Sequence, residues 1–490
     1  MTSMHHDTKT GHSYDRFRTA KELLTELKFD LFKQDFPSFI AHGIEMLNRA
    51  KHGEDGPKCA YDPSGLSQVR MQLEREASFL IVDVGGSHTR ATLVNFNPGG
   101  THDWKVLCDL DNGEIVRAAK VEGFAPFTKT LAEITTNKFR DSGVELEKIE
   151  GIGMVWSNAL RGKRLTGAVS GVDGEATGIT EKSAYQKGEK FLKGLKDGDL
   201  LGKPFLEAFE ARGLKPKVFV LGNDTIFTLA ATPGADAGMV ASTGANCTAV
   251  ADDGNIYNTE FGAHFKVPTD CLTSADIVTV DRYQDGELER RLCQPTLEGL
   301  LAGKWLPELL ENYVLTFAKQ GAQQLQPLAE RISEARSQGK VTLLGGKDFS
   351  ALVNRNSEST PLVTELTEQK ALGAEAIQAL REIGAALIER GGMAAAGMAY
   401  FSLYDALRRK NEVTLSLDSS QARLNDGYQE IMESTLRELI GAKATLHFEL
   451  REEILIDRGG DKEKISVPTQ GLAEFLASEL AAKEQTSKLG

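Results

Sequence analysis

Three short stretches of the chain gather residue types suited to moving a phosphoryl group. The first is Asp83-Val84-Gly85-Gly86-Ser87-His88-Thr89-Arg90. An apolar run over 78–82 delivers a carboxylate to its end, where two glycines let backbone N–H groups approach an anion closely. Ser87 and Thr89 add hydroxyl donors, and Arg90 adds a permanent cation. Such a turn suits a polyphosphate and its Mg²⁺; it equally suits a plain hairpin with a capping aspartate. No GxxxxGK[ST] loop occurs. The second stretch, Asn223-Asp224-Thr225, stands where an apolar strand pattern passes into a helical one. A carboxylate there can accept a hydroxyl proton while the helix start disposes donors toward phosphate, although capping is the commoner role. The third, Ser242-Thr243-Gly244-Ala245-Asn246, is another phosphate-sized turn, or a polar hairpin.

Two further segments, Asn258-Thr259-Glu260-Phe261-Gly262-Ala263 and Leu297-Glu298-Gly299, set a glutamate beside small or apolar residues. With Asn223, Asp224 and Asn246 they make a set of carboxylates and amides. A polyhydroxylated ligand requires such a set, because each hydroxyl both donates and accepts. Taken by itself, Glu298 fits a solvated helix face.

The elements that must position these residues follow from periodicity. Residues 1–15 read as a loose tail, 17–49 as helix and 52–65 as loop. Strands are expected at 78–83, 90–94, 104–110, around 115–121 and at 149–156, with a helix over 126–140. Residues 161–200, rich in Gly, Lys and Thr, read as a long irregular excursion. A strand at 217–221 should lead into a helix through Leu229, followed by a second strand–turn–strand at 238–241 and 247–251. Helices are expected at 297–313, 313–334 and 369–409, strands at 413–417 and 444–448, and a final helix at 471–482. FLIVDVGGSHTRATLV and AGMVASTGANCTAV share one plan, strand, glycine-containing hairpin, strand, which suggests two related lobes around a cleft.

Composition bounds the possibilities. The 490 residues are 41% hydrophobic, ample for two cores, and carry 57 basic against 70 acidic residues for a net charge of −13. No Lys/Arg-rich tract suggests a nucleic-acid partner, and no run of 18 apolar residues suggests a membrane span. Five scattered cysteines without a CxxC point to neither a disulfide framework nor a zinc site. The expected setting is cytoplasmic, with oligomeric state left open.

The ordered segments IVDVGGSHTR, MVWSN, VLGNDTI, STGANC, NTEFGA and LEGLLAGKW resemble the hexokinase family. The corresponding family signatures are a DLGGTNFR-type phosphate loop, an FSFP sugar loop, a VNDT catalytic motif, a GTGTNAC second phosphate loop, an NxEWGAF segment and an EKxxSGxYLGE helix. The likeness runs from about residue 79 to 310 and extends through LIERGGMAAAGMA (387–399) and TLSLDSS (414–420).

This resemblance implies an α/β, two-lobed actin-like ATPase (ribonuclease H-like) fold, each lobe built on a mixed five-stranded sheet. The small lobe would span 76–223, completed by a C-terminal helix within 455–490. The large lobe would span 224–454, with N-terminal helices from 16–75 packed on it. The implied reaction transfers the γ-phosphoryl group of ATP, with Mg²⁺, to the 6-hydroxyl of a hexose, glucose foremost, as in the first step of glycolysis. Asp224 is then the general base. Ser157, Lys187, Asn223, Asn246, Glu260 and Glu298 would bind the sugar. Gly85, Gly86, Ser87, Arg90, Thr243, Gly244 and Ser419 would line the phosphate and nucleotide side, and Asp83 would hold Mg²⁺ through water.

The sequence departs from the family pattern in places. A clean WTKG segment is absent, Gln186-Lys187-Gly188 being nearest; Asn158-Ala159 follows Ser157 where FSFP has its proline; Phe261 replaces the usual Trp. Asp418-Ser419-Ser420 stands for Asp-Gly-Ser, and the GSGxGAA glycine motif has only Asp457-Arg458-Gly459-Gly460-Asp461 as its counterpart. A kinase for another hexose, a different phosphoryl donor and a non-catalytic sugar sensor therefore stay open. An actin-like filament or chaperone ATPase would keep the phosphate turns but gives no reason for Asn246, Glu260 and Glu298.

Overall fold

The computed structural model describes residues 18–52, 61–85, 88–99, 101–141, 143–177, 193–284, 287–354, 358–458 and 461–489. The strands in chain order are β1 (Asp62–Ser67), β2 (Ala77–Val84), β3 (His88–Phe96), β4 (Asp103–Asp111), β5 (Ile149–Trp156), β6 (Leu160–Leu165), β7 (Ser170–Ala176), β8 (Val218–Asn223), β9 (Ala237–Ala241), β10 (Ala245–Val250), β11 (Asn255–Asn258), β12 (Val278–Gln284), β13 (Glu287–Cys293), β14 (Glu412–Asp418), β15 (Thr445–Leu450), β16 (Ile454–Arg458) and β17 (Asp461–Ile465).

One sheet has the order β4-β3-β2-β5-β8-β7-β6, with β2, β5 and β8 mutually parallel at its centre. Covering on both faces explains why β2 reads as an unbroken apolar run. Leu80 and Val82 pack with Phe127, Phe205 and Phe209 of the helices Phe124–Asp141 and Gly202–Glu210 on one side. Phe79 and Ile81 pack with Leu472, Phe475 and Leu476 of the C-terminal helix Val467–Leu489 on the other. The second sheet has the order β1-β11-β10-β9-β14-β15. Here too an antiparallel hairpin (β9–β10) adjoins a parallel neighbour (β14), repeating the β2–β3 hairpin with parallel β5. The echoed sequence plan is thus an echoed structure.

The second sheet packs on the 34-residue helix Ala374–Leu407, whose segment 391–399 is glycine, alanine and methionine throughout and fully buried. A Cβ at Gly397 would stand 2.7 Å from the Phe39 ring, so a small residue is required where the N-terminal helix Phe36–Lys51 crosses. Phe39 also meets Phe265 edge-on, with centroids 5.2 Å apart. Burial of Phe39 contributes about 1.5–3 kcal/mol to that docking. The two sheets meet where β1 lies against β6. A Cβ on Gly162 would lie 1.7 Å from the Ser64 carbonyl oxygen, and Arg161 donates to Asp62 through Nε at 3.1 Å and Nη2 at 2.9 Å.

Several expectations are corrected. The sheets have seven and six strands rather than five. The expected strand at 115–121 is the helix Asn112–Ala119: the Asp111 carboxylate accepts from Glu114 N at 3.2 Å as its cap, and Lys120 ends it in a left-handed conformation (φ 59°). The "irregular" 161–200 contains β6 and β7, whose alternation short glycine-rich strands obscure; residues 178–192 lie outside the described residues. The segment 16–75 is not all helix, since β1 belongs to it, and the 17–49 pattern breaks at Lys28 (φ 57°) and again before Phe36. The 297–313 and 313–334 helices become Leu297–Leu301, Leu306–Lys319 and Gln326–Ser337, with Gly321 (φ 95°) at the second break. Among the described residues no helix is long and apolar enough to cross a membrane. Cys108, Cys247, Cys271 and Cys293 are free thiols.

Candidate active site

The carboxyl ends of β2, β5 and β8 lie side by side: Val84 is level with Trp156, and Trp156 with Asn223. Gly85, Ser157 and Asp224 therefore leave three adjacent parallel strands at one edge, where α/β sheets place their ligands. Asn223 knits this edge together. Its Oδ1 accepts from Thr225 N (3.0 Å) and Thr225 Oγ1 (2.7 Å), and its Nδ2 donates to the carbonyls of Trp156 (3.2 Å) and Asn158 (3.3 Å). With both amide hydrogens given to backbone, Asn223 is a positioning residue for the strand–helix junction. Asp224 opens the helix Asp224–Ala230, half-buried, with Oδ1 accepting from Thr225 N at 2.8 Å.

The second hairpin meets this edge from the other sheet. Thr225 Oγ1 lies 2.5 Å from Thr248 Oγ1 on β10, and Asn246 Nδ2 reaches Asn223 Oδ1 at 3.4 Å. The same Nδ2 donates to Asn258 Oδ1 (2.9 Å) and Glu260 Oε1 (3.1 Å), and Asn258 Nδ2 donates to Glu260 Oε1 at 2.9 Å. Glu260 is only 1% exposed and adopts φ 50°, ψ 27°. A left-handed backbone at a glutamate costs about 1–2 kcal/mol, strain of the kind found at binding sites. Glu298 faces the same place: a Cβ on Gly244 would stand 3.1 Å from its Oε1.

The turn 242–246 is fixed from two directions. Gly303 N donates to the Ser242 carbonyl (2.7 Å) and Lys304 N to that of Thr243 (3.2 Å). Ser420 N donates to Ser242 Oγ (3.0 Å), while Ser419 Oγ donates to the Ala241 carbonyl at 2.7 Å. Thr243 is left exposed at the tip, and Ser419 is buried as a brace and helix cap, accepting from Ala422 N. In the first turn, Gly85 N donates to the His88 carbonyl (2.9 Å), and Asn112 Nδ2 donates to that of Gly85 (2.8 Å). Gly86, Ser87 and Lys187 lie outside the described residues.

Asp83 accepts from Ser466 Oγ at 2.7 Å. Burial pushes its carboxyl above the usual range; Ser466 and Arg90 oppose the rise, and Asp418 and Asp109 add to it. Arg90 is itself shared with Asp109 at 2.6 Å. Asp418, at the end of β14, is likewise pushed up by burial against the pull of Arg423, 2.8 Å away. The charge of Asp418 thus adds to the upward push on Asp83, which brings the ends of β2 and β14 into electrostatic reach of each other; among the described residues no group of three or more His, Cys, Asp or Glu is gathered as for a metal ion.

The candidate set omitted Asn258, Asn158, Asn112, Ser466 and Asp418. Asn258 was within reach, since it stands two residues before Glu260 in the same segment. Ser466 pairs with Asp83 across 383 residues, a separation no local pattern reports.

The two echoed sheets give the chain a two-lobed, actin-like α/β fold. A family model described as hexokinase matches residues 236–453 of this chain. The fold agrees over nearly the whole length. The hexokinase of Schistosoma mansoni, solved in complex with glucose, is 17% identical, covers 94% of this chain and 100% of its own, and superposes with a TM-score of 0.66. A second hexokinase structure is 19% identical, covers 94% and 96%, and gives 0.60. No curated protein matches the chain in sequence.

Proposed function

We propose that the protein transfers the γ-phosphoryl group of Mg-ATP to the 6-hydroxyl of a hexose, glucose foremost. The observation that carries this proposal is the Asn223–Asn246–Asn258–Glu260 hydrogen-bond network, drawn from both sheets and joined directly to the residue preceding Asp224. Such a network orders one carboxylate and three amides beside the cleft, the groups a ligand rich in hydroxyls needs. Asp224 takes the proton of the attacking hydroxyl, with its helix start fixed by the Asn223 cap. Asn246, Glu260 and Glu298 hold the remaining hydroxyls, with Ser157 contributing from the other lobe and Lys187 assigned by the family resemblance alone. The turns at 85–90 and 242–246 take the phosphates. Asp83, with Asp418 opposite, would hold Mg²⁺, whose chemistry is to neutralise charge on the transferring group. Phosphoryl transfer needs positioning and charge neutralisation more than covalent chemistry, and two lobes meeting at β1 and β6 are suited to supply the positioning. A glucose complex in the Schistosoma relative favours glucose.

The test is purified protein with glucose, fructose or mannose, Mg²⁺ and a panel of phosphoryl donors, with the product identified by mass spectrometry. Glucose 6-phosphate formed from ATP is the expected outcome. Glucose binding without product from any donor would establish a sensor instead.

A further inference from the structure

A groove of about 490 Å³ runs beside the outer edge of the seven-stranded sheet, between β4 and the hairpin β16–β17. The hairpin forms a separate two-stranded sheet, so β17 lies next to β4 without joining its ladder, and the space between them stays open. Cations line it from three elements: Arg90 of β3, Lys138 of the helix Phe124–Asp141, and Lys462 and Lys464 of β17. Among the described residues lining the groove, Asp109 and Glu463 carry the opposing charges. A local positive excess in a chain of net charge −13 is not average surface. Arg90 is shared with Asp109 and Lys464 with Glu453, but no ion pair among the described residues engages Lys138 or Lys462. Arg90 also belongs to the first phosphate turn, so the groove opens next to it.

Lysines are strongly hydrated point charges that bind phosphate without demanding one geometry. Cations supplied by a strand, a helix and a hairpin match several linked negative charges better than one carboxylate. We infer that this groove is an oligophosphate-binding seat, taking either an inorganic chain or the phosphate tail of a nucleotide. The seat accounts for Lys462 and Lys464 of β17, which follow the counterpart of the glycine-rich segment and which the phosphoryl-transfer site leaves unused.

The test compares wild type with the double variant Lys138→Glu/Lys462→Glu by calorimetry with inorganic tripolyphosphate and with ATP, at one ionic strength. Lysine acetylation footprinting of the wild type with each compound locates the site. Both positions are exposed, so thermal melts should coincide. The seat predicts protection of Lys138 and Lys462 by both ligands and a loss of tripolyphosphate affinity of about tenfold or more in the variant. Glucose affinity should not change, which separates failure of the seat from failure of the sugar site. Unprotected lysines, an unchanged tripolyphosphate affinity, or a loss seen with ATP alone would overturn it.

Discussion

Glu260 separates the sugar-binding role from a merely structural one, because two substitutions there should move stability and affinity in different ways. Its Oε1 accepts from Asn246 Nδ2 at 3.1 Å and Asn258 Nδ2 at 2.9 Å in a site that is 1% exposed. Glu260→Ala removes a charged acceptor from two buried amides. Asn246 keeps a partner in Asn258 Oδ1, so the greater loss falls on Asn258. Hydrogen bonds to charged groups are worth about 1.5–3 kcal/mol each, and an orphaned buried donor costs about 1–3 kcal/mol, so a loss of about 2–4 kcal/mol is expected. Glu260→Gln keeps an acceptor oxygen for both amides and removes a buried charge, so stability should stay within about 1 kcal/mol. Glucose, however, loses a charge-assisted partner, which weakens binding by about 10- to 100-fold. Denaturant melts and glucose calorimetry on both variants measure the two effects. A Glu260→Gln protein that binds glucose as well as wild type would refute the role given to this carboxylate.

Three other perturbations test the surrounding geometry. Gly244→Ala places a Cβ 3.1 Å from Glu298 Oε1, an end of a side chain that can give way, so the fold should hold while the KM for sugar rises by about tenfold, read in steady-state kinetics. Arg161→Ala leaves the buried Asp62 carboxylate with Thr177 Oγ1 at 3.3 Å but without its cation, and should destabilise the protein by about 2–4 kcal/mol in chemical denaturation. Asp173 accepts from Gly174 N and Gly202 N through Oδ1, and burial pushes its carboxyl up. Between the ordinary carboxylate value and this raised one, the native state holds the extra proton. Asp173 therefore makes stability fall as pH rises through that window, and the Tm of Asp173→Asn measured from pH 4 to 7 should lack that component.

The sequence displayed the parts of the fold governed by strong local patterns. Residues 78–83 and 149–156 are apolar at consecutive positions because both faces of the central strands are covered, and the glycine hairpins beside them announced the duplication. It misled where a short amphipathic element met a polar cap: Ile115 and Val116 read as strand, yet Asp111 capping Glu114 N makes a helix. The strands β6 and β7 were illegible because half of β6 is charged and β7 carries two glycines, so their few buried apolar residues, Leu160, Val172 and Ala176, make no regular pattern. In the site, the positions of Asn223, Asn246 and Glu260 followed from motif order, while the network joining them depends on Asn258 and on two sheets meeting. The Asp83–Ser466 contact and the basic groove are tertiary products of the C-terminal hairpin returning to the first lobe.

The most direct measurement is single-turnover transfer from labelled ATP to glucose by wild type and Asp224→Ala, with glucose affinity determined in parallel. Asp224 as base predicts that the variant binds glucose within about tenfold of wild type while its transfer rate falls by about 100-fold or more. Transfer by Asp224→Ala at a near wild-type rate would contradict the account.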